Sequence, residues 1–498
     1  MDFVVSSEQL ASYFSTIKNH VESHHALVTI KYLKLADQTV RVLCYTTEIL
    51  SSMEKHLPYV LTETADRYDT TLIVWKETNA QALALQLNPQ WSPKINMRLR
   101  LEMIVSHTKC PPVHIIEQTD TNSQRVTSLA FETDYVNGWD AKNKICYYGV
   151  PDFSPEEFIK AGHTFIQQIN RLVQNEQTNI AHGAIIGFNN NGLLMCARGQ
   201  RGKSTLTVHA MMHGFEYVAD DYQILQHRGN QLYAWPIYSI ITLSPKMYTE
   251  LYDDLKGKFV SNNARKDKYV INIAPYHNQF RSDYPIRLCL FPEIVSDTQP
   301  SITFCTPEEK GRAIVQLIQS TVMQMQDLNN PPVIKKMFDM VKDLDFYKFN
   351  LCHNIDANTE YLRSFLNKFD FSVRKGIPTD KIMIDITFDI ANILDSETYT
   401  IYTMNQFATH LYEKLLSGIS KDTILGALEP YVIKNKNLKE EFELFVETVQ
   451  KKGFIRPTSF KTADAKVNPV LAHQCAFHLS LHEFAPSETI ELINLKKG

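Results

Sequence analysis

The chain of 498 residues contains no Cys-x-x-Cys pair, although it carries eight cysteines, at positions 44, 110, 146, 196, 289, 305, 352 and 475. Close cysteine pairs are what zinc ribbons and thioredoxin-like redox centres use, so neither is expected. In a chain of this length the thiols read as reduced and the protein as cytoplasmic. No apolar run approaches the roughly 20 residues that a membrane-spanning helix needs, so no membrane partner is expected. The N-terminus, MDFVVSSEQLASYF, has acidic residues and no basic stretch ahead of an apolar one, unlike a secretory signal. A strong charge of either sign is also lacking. The formal net charge is −4, which argues against a broad nucleic-acid footprint. There is no internal repeat and no low-complexity segment. What remains is a globular composition, 44% hydrophobic and 21% charged, in a chain too long for one core. Length alone suggests about three domains.

Residues 1–150 hold short runs rich in β-branched and aromatic residues, "ALVTIKYL", "QTVRVLCY" and "TTLIVW", with helical stretches between them. They predict an α+β N-terminal domain of unassigned role. Near residue 150 the pattern changes. Ser154, Pro155, Glu156 and Glu157 form a helix start, and apolar residues then recur at helical spacing through Leu172. "AHGAIIGF" and "GLLMCARG" follow as two strands joined by the turn signal "NNNG". "KSTLTVHAMMHG" predicts a helix ended by Gly214, and "FEYVADDYQIL" a further strand region.

The segment "ARGQRGKST" carries most of a phosphate-binding loop. Gly199, Gln200, Arg201, Gly202, Lys203, Ser204 and Thr205 follow a strand and open a helix. In such loops glycines let backbone N–H groups converge on phosphate oxygens, the Lys neutralises the outer phosphates and the Ser hydroxyl ligates Mg²⁺. Ala197 stands where the usual pattern has its first Gly, which is tolerable if that residue keeps φ negative. The loop alone does not separate a kinase from a GTPase or a motor, and a chance Gly-Lys-Ser turn is the bland reading.

Asp220 and Asp221 lie 17 and 18 residues after Lys203, at the end of the following strand. Adjacent carboxylates there can divide the work: one, Asp220, holds the metal with Ser204, while the other accepts a proton from an attacking hydroxyl. In isolation the pair would read as an exposed turn. His182, 21 residues before Lys203, is either structural or placed to tune the carboxylates.

Taken together, "AHGAIIGFNNNGLLMCARGQRGKSTLTVHAMMHGFEYVADDYQIL" resembles the HPr serine kinase/phosphorylase family and its kinase-like relatives. His182, Gly199, Gly202, Lys203, Ser204, Asp220 and Asp221 match that family's pattern in order and spacing. The resemblance implies a catalytic domain over 151–370 with a phosphoenolpyruvate carboxykinase-type P-loop fold, ATP and Mg²⁺ as cofactors, and phosphorylation of a Ser hydroxyl. Lys203 would bind the β- and γ-phosphates, Ser204 the metal, one Asp would be the base, and His182 would support it. The later Arg-Gly signature of the HPr-specific enzymes has no counterpart, so HPr itself is not the expected substrate. "YAWPIYSIITLSPKMY" resembles a strand of the less-characterised relatives, which nominates Lys246. Arg281 and Arg287 are candidates for a second phosphate contact, against the alternative of solvated arginines.

After about residue 370, "KIMIDITFDIANILDSETYTIYTMN" predicts three short strands. Three helices follow, with Asn405 and Ser420 as caps of the first two. The third places Leu438, Phe442, Phe445 and Val446 on one face and stops at Gly453. Residues 371–457 resemble PqqD, the winged-helix module that binds leader peptides of ribosomally made, modified peptides, through Met404, Asn405, Ala408, Gly418 and Ile424. The expected mode is addition of a disordered leader to an exposed strand edge. Tyr399, Ile401 and Tyr402 on the third strand, and Phe442, Phe445 and Val449 on the last helix, are the expected contacts. Simple packing on a neighbour, or DNA binding, are the alternatives. Residues 458–498 read as a tail, in which His473, Cys475, His478 and His482 have a loose metal-like spacing without an anchoring pair.

The combined expectation is an ATP-dependent kinase acting on a Ser, or a Thr, of a precursor peptide whose leader the C-terminal module recruits. Two rivals stand beside it: a kinase of free serine or another small hydroxyl compound, and a non-catalytic, nucleotide-regulated peptide-binding protein. No nucleic-acid partner is expected, and a homo-oligomer is left open.

Overall fold

A computed structural model describes residues 7–25, 27–78, 80, 83, 114–119, 126–131, 136–150, 165–199, 201–251, 259–263, 268–273, 278–325, 330–373, 375–432, 438–455 and 481–484. The fold is mixed α/β with several sheets. Among the described residues no helix is long and apolar enough to cross a membrane.

The N-terminal region opens with α1 (Ser7–His24) and α2 (Thr47–His56). Its strands are β1 (Thr29–Leu35), β2 (Gln38–Cys44), β3 (Leu61–Thr62), β4 (Thr70–Lys76), β5 (His114–Thr119), β6 (Val126–Phe131), β7 (Val136–Asp140) and β8 (Ile145–Val150). They form one sheet in the order β3-β1-β2-β4-β8-β7-β6-β5. The period of two seen in the sequence is the period of burial: Leu33 and Leu35 on β1, and Val40, Val42 and Cys44 on β2, all point into one core. β4 lies between parallel neighbours and is buried along nearly its whole length, as its unbroken apolar run requires. Of the helix predicted from Ser154, residues 151–164 lie outside the described residues. The described part is α3 (Ile166–Val173).

The central sheet contains β9 (Thr178–His182), β10 (Ala184–Phe188), β11 (Asn191–Met195), β12 (Glu216–Ala219), β13 (Tyr222–Arg228) and β14 (Gln231–Pro236). β15 (Ile240–Leu243), β16 (Phe259–Asn263) and β17 (Lys268–Asn272) form a small separate sheet. β18 (Tyr284–Ile294), β19 (Ser301–Phe304) and β20 (Asp345–Leu351) complete the central one, whose path runs β12-β10-β11-β18-β14-β13-β9, with β20 on β18 and β19 on β20. The hairpin β10–β11 turns through Asn189 and Asn190, both with positive φ, the type I′ geometry that Asn tolerates. The helices are α4 (Lys203–Met212), α5 (Pro245–Glu250), α6 (Pro307–Met325), α7 (Pro331–Val341) and α8 (Ile355–Asn367).

The C-terminal sheet has β21 (Ile382–Thr387), β22 (Ile390–Asp395), β23 (Thr400–Met404) and β24 (Leu481–Phe484), followed in space by α9 (Gln406–Leu416), α10 (Lys421–Val432) and α11 (Leu438–Lys451). The caps are as expected: Asn405 Oδ1 accepts from Ala408 N at 2.8 Å and Ser420 Oγ from Thr423 N at 3.1 Å. One expectation is overturned. The edge of the third strand is not exposed, because β24, from the tail, pairs antiparallel with β23 from Ile401↔Phe484 to Met404↔Leu481. Nothing local in the sequence announces this pairing, which joins segments about 80 residues apart.

One face of this sheet packs on the central region. Met383, Leu394 and Ile401 share a core with Ala313, Ile314 and Leu317 of α6 and with Phe338 of α7. Gly311 permits the approach: a Cβ there would lie 2.9 Å from Met383 Cγ. The other face, with Tyr402 and Met404, packs on α9, α10 and α11.

Candidate active site

Three segments emerge at one end of the central sheet. β11 runs parallel to β18 and β20, and antiparallel to β10, which is in turn antiparallel to β12. The carboxyl ends of β11 and β12 therefore flank the amino end of β10. The phosphate loop follows β11, Asp220 and Asp221 follow β12, and His182 and Gly183 precede β10. The carboxyl ends of parallel strands are where open α/β sheets bind ligands.

The sequence reading took 215–225 as one strand region; the structure divides it. β12 pairs with β10 and β13 with β9, and between them the chain breaks at Asp220–Asp221, opposite Gly183. Asp221 takes φ +62, a left-handed conformation that Asp tolerates better than most residues. Its carbonyl accepts from Gly183 N at 3.0 Å, and Tyr222 N donates to Asp220 O at 2.8 Å. A Cβ on Gly183 would sit 2.9 Å from the carbonyl oxygen of Met195, the last residue of β11. The break thus anchors the acidic pair against the strand that feeds the loop.

Asp220 is buried, and Asp221 retains some exposure. Thr242 Oγ1 donates to Asp221 Oδ2 at 3.2 Å, and His182 Nε2 lies 3.6 Å from Asp221 Oδ1. His182 is fixed through its backbone, whose N–H donates to Thr321 Oγ1 of α6 at 2.8 Å, and its ring lies 5.3 Å from that of Tyr222. Burial, with the nearby Asp220, pushes the Tyr217 hydroxyl well above its ordinary value.

The loop itself is built around its lysine. Lys203 is buried, and its Nζ donates to Ala197 O at 2.5 Å and to Arg198 O at 3.1 Å. Position 197 therefore contributes a carbonyl, which any residue has. Ala197 is not among the positive-φ residues, which accounts for the missing glycine. Gly202 is different: its φ is +87, and a Cβ would meet Leu351 Cδ1 at 2.8 Å. Gly199 is exposed with open space around its would-be Cβ, and Gln200 lies outside the described residues. Ser204 and Thr205 are half-buried at the start of α4, where a helix N-terminus has unsatisfied N–H groups to offer.

Three observations are compatible with a nucleotide and a metal ion here: a left-handed glycine packed against Leu351, a buried lysine turned into the loop, and a buried carboxylate at the same end of the sheet.

Several residues of this end were invisible in the sequence. Arg198, which the loop pattern leaves unassigned, points into the C-terminal sheet. Its Nη2 lies 3.0 Å from Asp385 Oδ2, on β21, and donates to Gln319 Oε1 at 2.5 Å. Asp385 is fully buried and also accepts from Gln316 Nε2 at 2.8 Å. Burial draws Arg198 below its ordinary value, Asp385 opposes that, and Arg201 adds to it. Glu293, near the end of β18, is the second addition. Burial works against its charge, but Lys348 at 3.0 Å and Arg312 at 3.2 Å hold its carboxyl below the usual range, with a smaller effect from Arg201. Thr242 and Tyr217 complete the set. Glu293 is placed by the pairing of β18 with β20, whereas Arg198 and Thr242 join through side-chain contacts to distant elements that no spacing rule encodes.

Other nominated residues lie elsewhere. Lys246, on α5, is 80% exposed and pairs with Glu250 at 3.7 Å. Arg281 binds Glu216, at the far end of β12, at 2.8 Å. Arg287 lies toward the start of β18 and donates to Gln231 Oε1 at 2.5 Å. The structure does not bring these three to the end where Asp220 and the loop meet. In the C-terminal unit, Ile401 is buried against α6, and Tyr399 faces Phe338 of α7 with ring centroids 6.2 Å apart. Tyr402, Phe442, Phe445 and Val449 are all buried in the unit's own core, and Lys452 Nζ donates to the Tyr402 hydroxyl at 3.2 Å. Of the tail's loose metal pattern, His473, Cys475 and His478 lie outside the described residues.

No family model matches the chain, and no curated protein matches it. Among solved structures, the HPr(Ser) kinase/phosphatase from Coxiella burnetii is similar at 13% identity and a TM-score of 0.21, over 38% of this chain and 97% of that one.

Proposed function

We propose that the protein is an ATP-dependent kinase that transfers the γ-phosphoryl group to a Ser, or a Thr, hydroxyl of a ribosomally made precursor peptide. The observation that carries this reading is the convergence of the Lys203 loop and the Asp220–Asp221 break at one end of the central sheet. Lys203 binds the β- and γ-phosphate oxygens, displacing its contacts to the loop carbonyls. Ser204 and Asp220 would hold Mg²⁺, which would supply neutralising charge to those phosphates. Asp221, which His182 and Thr242 orient, takes the proton from the peptide hydroxyl. That oxygen forms its bond to the γ-phosphorus as the bond to the bridging oxygen breaks, and ADP leaves.

Recruitment follows from the C-terminal sheet. Leu481–Phe484 occupies the β23 edge as a leader strand would, so we read β24 as a resident stand-in that the leader displaces. Tethering then raises the local concentration of a weakly bound core peptide at Asp221.

The full chain incubated with ATP, Mg²⁺ and the precursor peptide encoded beside its gene should add the mass of one phosphoryl group to that peptide. Asp221→Asn should lower the rate by about 10²- to 10⁴-fold, the usual contribution of a positioned base, with the thermal midpoint retained. ATP binding without transfer in the unmodified chain would instead make it a nucleotide-regulated binding protein. Recruitment has its own probe, a synthetic peptide of residues 478–487. It should bind Glu483→Pro, a substitution that disfavours the β24 strand, more tightly than the unmodified chain. Equal affinity for the two would refute displacement and leave the phosphotransfer reading standing.

A further inference from the structure

At the opposite end of α4 from the phosphate loop, a second cluster has metal-site geometry. His209 and His213 are four residues apart, so both rings leave the same face of the helix end, stacked with centroids 4.1 Å apart. Asp356, in the first turn of α8, reaches the same point: its Oδ1 lies 3.1 Å from His209 Nε2 and 4.0 Å from His213 Nε2. All three ligand atoms lie within 4.8 Å of one another. We propose that His209, His213 and Asp356 bind a divalent transition-metal ion of the Zn²⁺ class, clamping α8 to the phosphate-loop helix.

Three features support the assignment. The first is the orientation of the rings. His213 Nδ1 lies 2.9 Å from the His209 carbonyl, which only accepts, so Nδ1 carries the proton and Nε2 the lone pair. His209 Nδ1 lies 2.8 Å from the buried Thr359 hydroxyl, the kind of outer partner that fixes a metal-binding imidazole. The second is spacing. With zinc bonds of about 2.0–2.2 Å, neighbouring ligand atoms of a tetrahedron stand about 3.3–3.6 Å apart, which the 3.1 and 4.0 Å contacts bracket. The third is access. His209 is buried, whereas His213 and Asp356 are 46% and 68% exposed, so a fourth position opens to water. The α4 C-terminus adds a negative dipole end, although Arg363 already donates to the His213 carbonyl.

The simple rival occupant is a proton on His209 Nε2, donated to Asp356. Chelator-treated full chain, free of nucleotide, should be titrated with Zn²⁺ by calorimetry and with Co²⁺ by visible absorption. The expected result is saturable binding, a raised thermal midpoint and a tetrahedral Co²⁺ spectrum. His213→Ala and Asp356→Asn, both at exposed positions, should each weaken that binding at least tenfold and lower the stoichiometry by one at moderate Zn²⁺. His478→Ala combined with His482→Ala should leave the site intact, separating it from the tail. Binding should also weaken as pH falls through the histidine range, because the imidazoles must be neutral. Absence of binding, or binding that His213→Ala and Asp356→Asn leave unchanged, overturns the proposal and leaves a protonated ion pair.

Discussion

The central site and the C-terminal edge both rest on antiparallel strands, yet they are made in opposite ways. At the site, the β12–β13 segment breaks at Asp220–Asp221, and the break is what sets the acidic pair beside His182 and Gly183. At the edge, β23 is extended by a partner from the far tail, and the pairing covers what would otherwise be open. The first arrangement is made by residues within a stretch of about 40. The second depends on chain closure over twice that distance, and closure is the feature a competing strand can undo. In the proposed reading, a fixed reaction centre beside an exchangeable edge would let one geometry be held while a disordered partner is admitted.

The strongest way to break the contrast is to cut the link between the two. Arg198 and Asp385 form a largely buried charge pair between the phosphate loop and β21. Removing one partner of such a pair costs up to about 3–5 kcal/mol, less here because Arg312 Nε also lies 4.0 Å from Asp385 Oδ1. Arg198→Ala should therefore lower the chemical-denaturation midpoint strongly and raise the KM for ATP, while Arg198→Met with Asp385→Leu should recover much of the stability. If the single variant loses stability but its KM for ATP is unchanged, the pair only glues the units and the loop does not depend on it.

The same pair shows where the sequence stops being informative. Lys203, the acidic pair and His182 could be nominated from residue type and short spacing, and the structure brings them to one end of the central sheet. Arg198 sits in the same loop but was uninterpretable, since its partner lies 187 positions away and only the docking of β21 on α6 brings them together. Glu293, Arg312 and Lys348 meet through the parallel register of β18 and β20, which no local pattern encodes. Conversely, strand and helix positions were largely legible, because burial follows the periods of two and 3.6. The tail was misjudged for one reason: a four-residue strand has too little pattern to declare itself.

Two glycines in the loop sharpen the local half of the comparison. Gly202 is needed by the fold, since a side chain there would be left-handed and in contact with Leu351. Gly202→Ala should cost about 1–2 kcal/mol from the backbone alone. Gly199 has open space around it, so Gly199→Ala should change stability by no more than about 0.5 kcal/mol. If Gly199→Ala nevertheless weakens ATP binding, measured by calorimetry, the glycine serves the approach of phosphate and not the fold.

The smallest expected effect on turnover probes whether the C-terminal unit's local order is separable from the proposed reaction centre. Asn405 caps α9 through its 2.8 Å acceptance from Ala408 N, and α9 lies on the face of the sheet away from the central region. Loss of such a cap costs about 1 kcal/mol. Asn405→Ala should lower the thermal midpoint slightly and weaken capture of the 478–487 peptide, with the turnover of saturating substrate unchanged. A fall in turnover of the size expected for Asp221→Asn would mean that strain in α9 travels through β23 and β21 to Arg198. The edge and the site would then be one mechanical unit, because the only described charge bridge between the loop and that sheet is the Arg198–Asp385 pair.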